Sequence, residues 1–246
     1  MSPAQSFDPS SGRPSAGAMP RASLARRILG VATVAAIGIG LYMALVASPQ
    51  VVGLGESIRI GYVHIGAAWT AYLSYAVTAF GAVLFLRRRE ARWDRLAMAS
   101  AEWGVVLTTV TLATGMLWGK TAQGWWWRWD DPRLTLTLLM WFLYVGYLIL
   151  RHYTEGDGRA RVSAVLALIG IPAMVLNHFA VVLFRTFHPA PIFVRPGSPA
   201  ADAPIVTTLL WSLAAYTLLY VWLLWLRVDL EADRDSLAAA RLGVHD

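Results

Sequence analysis

The sequence predicts an all-α polytopic membrane protein, a bundle of six transmembrane helices with both termini on the cytoplasmic side. Three observations carry that prediction. The 246 residues are 57% hydrophobic and 15% charged, against about 45–50% and about 25% in a soluble domain, and the mean hydropathy is +0.51. Six apolar runs are long enough to cross the hydrocarbon, which takes roughly 20 residues of helix. No strand-like alternation recurs along the chain, so a lipid-facing β-barrel lacks support.

Residues 1–27 form a cytoplasmic tail whose first part is rich in Ser, Pro, Gly and Ala, a composition that favours disorder. The first span, Ile28–Val46, follows Arg21, Arg26 and Arg27. Its apolar run is too long for a signal-peptide core and no small-x-small cleavage site follows, so it reads as a retained helix. The others are Gly66–Leu86, Leu96–Trp118, Leu134–Leu150, Val162–Phe184 and Ile205–Leu226. The fourth is short and borrows turns from its flanks. Glu102 is the one acid within the spans and is placed to pair with Arg95 or Arg92. His178 is the one imidazole within them, read as a satisfied core histidine, and Pro172 is expected to kink the fifth helix. Residues 28–226 thus form the membrane domain and 227–246 a charged cytoplasmic tail.

Arginines set the orientation. Arg87, Arg88, Arg89, Arg92 and Arg95 lie in one connection and Arg151, Arg159 and Arg161 in the next but one. Arginines also flank the first and last spans on that side, while the opposite side carries few. The positive-inside rule makes the crowded side cytoplasmic. The net charge of +6 is therefore topological and gives no support to a nucleic-acid partner; the partner in contact is the lipid membrane. Cysteine is absent, which excludes disulfides, iron–sulfur clusters, thiolate zinc and self-attached c-type haem.

The outer connections hold the candidate chemistry. The loop at 119–133 and its approach contain Trp118, Trp125, Trp126, Trp127 and Trp129, five tryptophans in twelve positions. For one tryptophan an interfacial belt is the readier explanation. Concentrated in one loop, they suit a large flat amphipathic ligand. His64, at the outer mouth of the second helix, and His188, just past the outer end of the fifth, lie on the same side. Either alone reads as an interfacial residue. Flanking a tryptophan-rich loop, the two suggest axial ligands for haem iron. Arg59 and Arg133 lie close by in sequence, readable equally as partners of the haem carboxylates or as headgroup anchors.

These residues resemble the haem-handling membrane proteins with a WWD motif, and in particular the haem exporter protein C family (CcmC) of cytochrome c maturation. The matches are Arg59 with Tyr62 and His64, Trp118-Gly119-Lys120, Trp126-Trp127-x-Trp129-Asp130, Arg133-Leu134-Thr135, Leu143-Tyr144-x-Gly146, and Asn177-His178 with Thr186-Phe187-His188. Two departures stand out. Gln123-Gly124 replaces the family's Trp-Gly, and Asp131-Pro132 makes the run into Arg133 one residue longer than the family's Trp-Asp-Ala-Arg-Leu-Thr. The resemblance implies a carrier rather than an enzyme. It would hold b-type haem non-covalently through His64 and His188, on the periplasmic side of a bacterial inner membrane. Trp118, Trp125, Trp126, Trp127, Trp129, Asp130, Arg59 and Arg133 would surround the haem. The resemblance further implies delivery to a membrane-anchored haem chaperone. The implied partners are an ABC ATPase, a second membrane subunit and a small single-span subunit; no Walker-type loop is present here, so ATP hydrolysis would fall to the partner. The alternative is a subunit of a cytochrome c haem lyase, which would have more spans and an intramembrane histidine pair. A b-type electron-transfer subunit would place its histidines within facing helices, and an ABC permease without haem would leave the tryptophan cluster unexplained.

Overall fold

The computed structural model describes residues 24–154, 156–189 and 201–242. Among them, six helices are long and apolar enough to cross a membrane. They are α1 (Leu24–Tyr42, extended by a π-helical turn at Met43–Ala47), α2 (Ile58–Arg88), α3 (Ala91–Gln123), α4 (Pro132–Tyr153), α5 (Gly156–Leu183) and α6 (Ala203–Leu242). Helix termini leave backbone groups unpaired and hydrocarbon offers them no partner. The turns therefore lie at the two ends of the bundle, one end carrying the tryptophan loop.

The central pair is α2 and α3. Tight packing between membrane helices depends on small residues, and α2 presents Ala67, Thr70, Ala71, Ser74 and Thr78 as a buried stripe. The approach is close enough that a Cβ on Gly104 of α3 would lie 2.5 Å from the Tyr75 ring and 2.6 Å from the Ser74 hydroxyl. Polar side chains in the seam find partners across it. Ser100 donates to the Ser74 carbonyl at 2.6 Å and shares a 2.7 Å hydrogen bond with Tyr220. The Tyr75 hydroxyl donates to the Gly104 carbonyl at 3.1 Å. On the other flank Tyr75 stacks on Tyr144 of α4, ring centroids 3.8 Å apart. Helix α1 lies against α6, where the Trp211 indole donates to the Ala36 carbonyl at 2.8 Å.

The helices outrun the apolar windows of the sequence. Helix α2 begins at Ile58 rather than near Gly66, so His64 lies about 9 Å inside the helix on a 1.5 Å rise, not at its mouth. Helix α6 continues to Leu242, so the described part of the expected tail 227–246 is helical. This extension is tied down by Arg26–Asp229 at 2.5 Å and Arg95–Asp235 at 2.8 Å. Glu102 pairs with neither Arg92 nor Arg95. Arg227 of α6 donates to both its carboxylate oxygens, at 2.5 and 2.8 Å. A second bidentate pair, Arg151 to Asp94 at 2.6 and 2.8 Å, is buried between α4 and α3. Pro172 sits within α5, which runs through it.

Candidate functional site

At the tryptophan-loop end, α2, α3, α4 and α5 diverge around a cavity of about 340 Å³. Its upper walls include His64, Trp118, Trp125, Trp127, Arg133 and His188, and it reaches down to Tyr72, Tyr75, Met140 and His178. This size falls in the range of small-molecule and cofactor sites.

The two histidines meet across it. Their ring centroids are 6.3 Å apart and the planes are inclined by 39°. His64 is set by α3: its Nδ1–H donates to the Thr111 carbonyl at 3.0 Å, with the Thr114 hydroxyl at 3.1 Å. A carbonyl can only accept, so Nδ1 carries the proton and Nε2 keeps its lone pair. Gly115 makes room for the ring, since a Cβ there would lie 3.0 Å from the His64 Cε1. His188 has the same tautomer by the same logic, its Nδ1–H donating to the Pro189 carbonyl at 2.9 Å. Burial, seconded by the positive charge of Arg133, pushes the His188 imidazole down to about 4. It is therefore neutral and able to ligate near pH 7.

The tryptophan loop is folded by local rules. Gly124 takes the left-handed conformation (φ +88°) that closes α3, and its N–H bonds to the Lys120 carbonyl at 3.2 Å. Gly119 admits the returning chain, because a Cβ there would lie 3.0 Å from the Trp125 ring. Trp118, Trp125 and Trp127 line the cavity. The Trp127 indole nitrogen is buried there without a hydrogen-bond partner. Trp126 and Trp129 are 56% and 73% exposed and line none of it.

Asp130 also faces out. It forms a bidentate pair with Arg128 at 3.0 and 2.6 Å, and this guanidinium holds its carboxyl below the usual carboxylate range. The fully buried carboxylate is Asp131. Its Oδ1 accepts from the backbone N–H groups of Arg133 at 2.9 Å and Leu134 at 3.1 Å, capping α4, with Pro132 in the first turn. Its Oδ2 accepts from the Thr186 hydroxyl at 2.5 Å and the Phe187 N–H at 2.6 Å. Burial works against ionisation, but these hydrogen bonds outweigh it and hold the carboxyl below its ordinary value.

Arg133 reaches the cavity wall, where its guanidinium donates to the His178 carbonyl at 3.1 Å and the Asn177 carbonyl at 3.4 Å. Arg59 points elsewhere: it pairs with Glu56 and donates to the Ala44 carbonyl at 2.5 Å, and it does not line the cavity. His178 lines the cavity and meets Tyr72 edge-on, centroids 5.9 Å apart. The Tyr72 hydroxyl donates to Asn177, whose amide donates to Thr137 at 2.9 Å and to the Arg133 carbonyl at 3.2 Å. Asp131, Thr111 and Gly115 are contributors that motif reading did not assign to the site, and Asn177, matched as part of a motif, was given no role. An Asp-Pro pair opening an apolar helix is a capping signal that points to Asp131; Gly115 and Thr111 carry no such local mark.

The fold and the cavity define a class: a membrane protein with six spanning helices among its described residues, an aromatic-walled cavity at one end and two histidine rings 6.3 Å apart across it. The family described as heme exporter protein C (CcmC) matches residues 14–242, and the chain belongs to that family, as its motifs anticipated. It is similar to heme exporter protein C of Escherichia coli K12, 34% identical over 206 residues that cover 81% of this chain and 80% of that protein. The Bradyrhizobium diazoefficiens protein of the same name is 33% identical over 196 residues, 79% of this chain and 74% of the relative. The Haemophilus influenzae one is 30% identical over 208 residues, 83% of each.

Proposed function

We propose that this chain carries haem as cargo, binding it non-covalently between His64 and His188 and presenting it for cytochrome c maturation. The haem-handling part of this reading rests on family membership. The observation that carries the site is the histidine pair. An iron held by two imidazoles keeps each ligating nitrogen about 2 Å away, which sets the ring centres roughly 6 Å apart; here they are 6.3 Å apart. Both Nδ1 atoms are engaged by backbone carbonyls, so both Nε2 atoms are left for iron. The residues present therefore fit the group.

In this reading Trp118, Trp125 and Trp127 flank the porphyrin and Arg133 meets a haem carboxylate. Trp126, Trp129 and Asp130 face a recipient. The recipient is a membrane-anchored chaperone on the periplasmic side, and an ABC ATPase with its membrane subunits supplies energy. Arg59, committed to Glu56 and the Ala44 carbonyl, anchors the loop before α2. The test is to purify the protein with its chaperone, denature both and extract with acidified organic solvent. All haem leaving this chain supports the reading; haem retained on this chain contradicts it.

A further inference from the structure

We propose that Asp131 is the positioning residue for His188, so that the two ligands are held by unlike means: His64 by the helix it stands on, His188 through one buried carboxylate. The inference rests on the haem-binding reading above and concerns how that site is assembled and where it can come apart.

The two histidines differ in their footing. His64 belongs to α2, and its ring is pinned between the Thr111 carbonyl and the bare Cα of Gly115. His188 lies in a stretch beyond the last residue of α5, Leu183, four residues past the last helical hydrogen bond there, Phe184 N–H to the Ala180 carbonyl at 2.9 Å. That stretch is fastened from across the cavity mouth. Asp131 Oδ2 accepts from both Thr186 and the Phe187 N–H, and the Thr186 hydroxyl accepts in turn from the His188 N–H at 3.1 Å. Trp125 meets the Phe187 ring edge-on, centroids 6.5 Å apart, while further ties, from Gln123 to the Phe187 carbonyl at 3.1 Å and from the Arg128 guanidinium 4.0 Å over the Phe187 ring, lie at the exposed surface. There, water competes with them. Asp131 is fully buried, so no water replaces its hydrogen bonds when they are lost.

The division of labour between its two oxygens makes the role separable from helix capping. Asparagine caps helices as well as aspartate does. In Asp131→Asn the Oδ1 still accepts from Arg133 and Leu134, while an NH2 group replaces Oδ2 and faces the Phe187 N–H, donor against donor. The substitution therefore keeps α4 capped and leaves the Phe187 N–H without its acceptor, weakening the hold on the His188 segment to what the new amide can donate to the Thr186 hydroxyl.

The experiment compares full-length wild type, Asp131→Asn and Thr186→Val in detergent, by amide hydrogen exchange of the haem-free protein and by absorption of the haem-loaded protein. Asp131→Asn is expected to leave exchange at Leu134 unchanged and to speed exchange at Phe187 by about tenfold or more, the scale of a lost charge-assisted hydrogen bond. Its haem loses the low-spin spectrum, and added imidazole restores it, as it does in His188→Gly. Thr186→Val moves both readouts in the same direction by less. Wild-type exchange at Phe187 together with a wild-type spectrum in Asp131→Asn overturns the proposal, as does loosening of Leu134 and Phe187 together, which marks a merely structural role. If Asp131→Asn fails to accumulate, Thr186→Val decides by the same criteria. If no variant, His64→Gly included, alters haem content, the haem-binding reading fails, while exchange in the haem-free protein still judges the hold of Asp131 on this segment.

Discussion

Gly115→Ala sets fold stability against ligand geometry, and the ligand site should suffer far more than the fold. An alanine Cβ would stand 3.0 Å from the His64 Cε1 and 3.5 Å from its Nδ1. Ordinary contact begins near 3.4 Å, so the ring must give by a few tenths of an ångström, at a cost of about 1–3 kcal/mol for overpacking where it cannot. The ring cannot retreat freely, because its Nδ1–H is bound to the Thr111 carbonyl at 3.0 Å. Meanwhile, replacing glycine by alanine within a helix is intrinsically favourable by about 0.8–1.0 kcal/mol. Bound haem holds the ring in place, so haem affinity should fall by up to roughly 5- to 150-fold. In the haem-free protein the ring can shift in its seat and the helix gain offsets much of the remaining strain, so the melt should change little. Haem transfer to an excess of apomyoglobin measures the first and a thermal melt in detergent the second. A Gly115→Ala protein with wild-type haem retention and spectrum would refute the claim that His64 is held in a tight seat.

Three further outcomes follow from the same geometry. Trp127→Ala, at the cavity wall, should weaken haem retention by about 2- to 10-fold beyond the lost area, whereas Trp126→Ala and Trp129→Ala should leave the absorption spectrum intact and slow transfer to the chaperone; stopped-flow transfer assays separate the two. The Asp131 carboxyl is held below its unfolded value, so its contribution is fully present above about pH 4 and lost as pH falls through the folded value; the melting difference between wild type and Asp131→Asn should be constant from pH 7 to about 5 and close in stronger acid. Breaking the buried Arg151–Asp94 pair with Arg151→Met should cost about 3–5 kcal/mol, and adding Asp94→Leu should recover much of it, as chemical-denaturation midpoints would report.

The spans were legible because apolar length is a direct readout of the hydrocarbon they cross, and the tryptophan loop because five indoles in twelve positions have no ordinary packing explanation. The helix ends were not. Residues 58–65 and 227–242 are helical for reasons outside their own hydropathy: Tyr62 is clamped by Ser48, and the end of α6 is tied by Arg26 and Arg95. The partner of Glu102 was missed because Arg227 is 125 residues away in sequence and neighbours it only after folding. The Asp-Asp-Pro run shows the limit of motif matching. Reading forward from Trp129 selects Asp130, which is exposed, whereas helix-capping chemistry selects Asp131, which is buried and holds both α4 and the segment bearing His188. The buried carboxylate sits two residues before Arg133. Arg59 and Arg133 looked alike in sequence; only Arg133 reaches the cavity.

The most direct test of the account is the absorption spectrum of haem-loaded His64→Gly and His188→Gly, each with and without added imidazole. A low-spin spectrum is expected in wild type, its loss in either variant, and its return with imidazole, because each vacancy leaves the opposite histidine as a ligand to the iron. A wild-type low-spin spectrum persisting in both variants would contradict it.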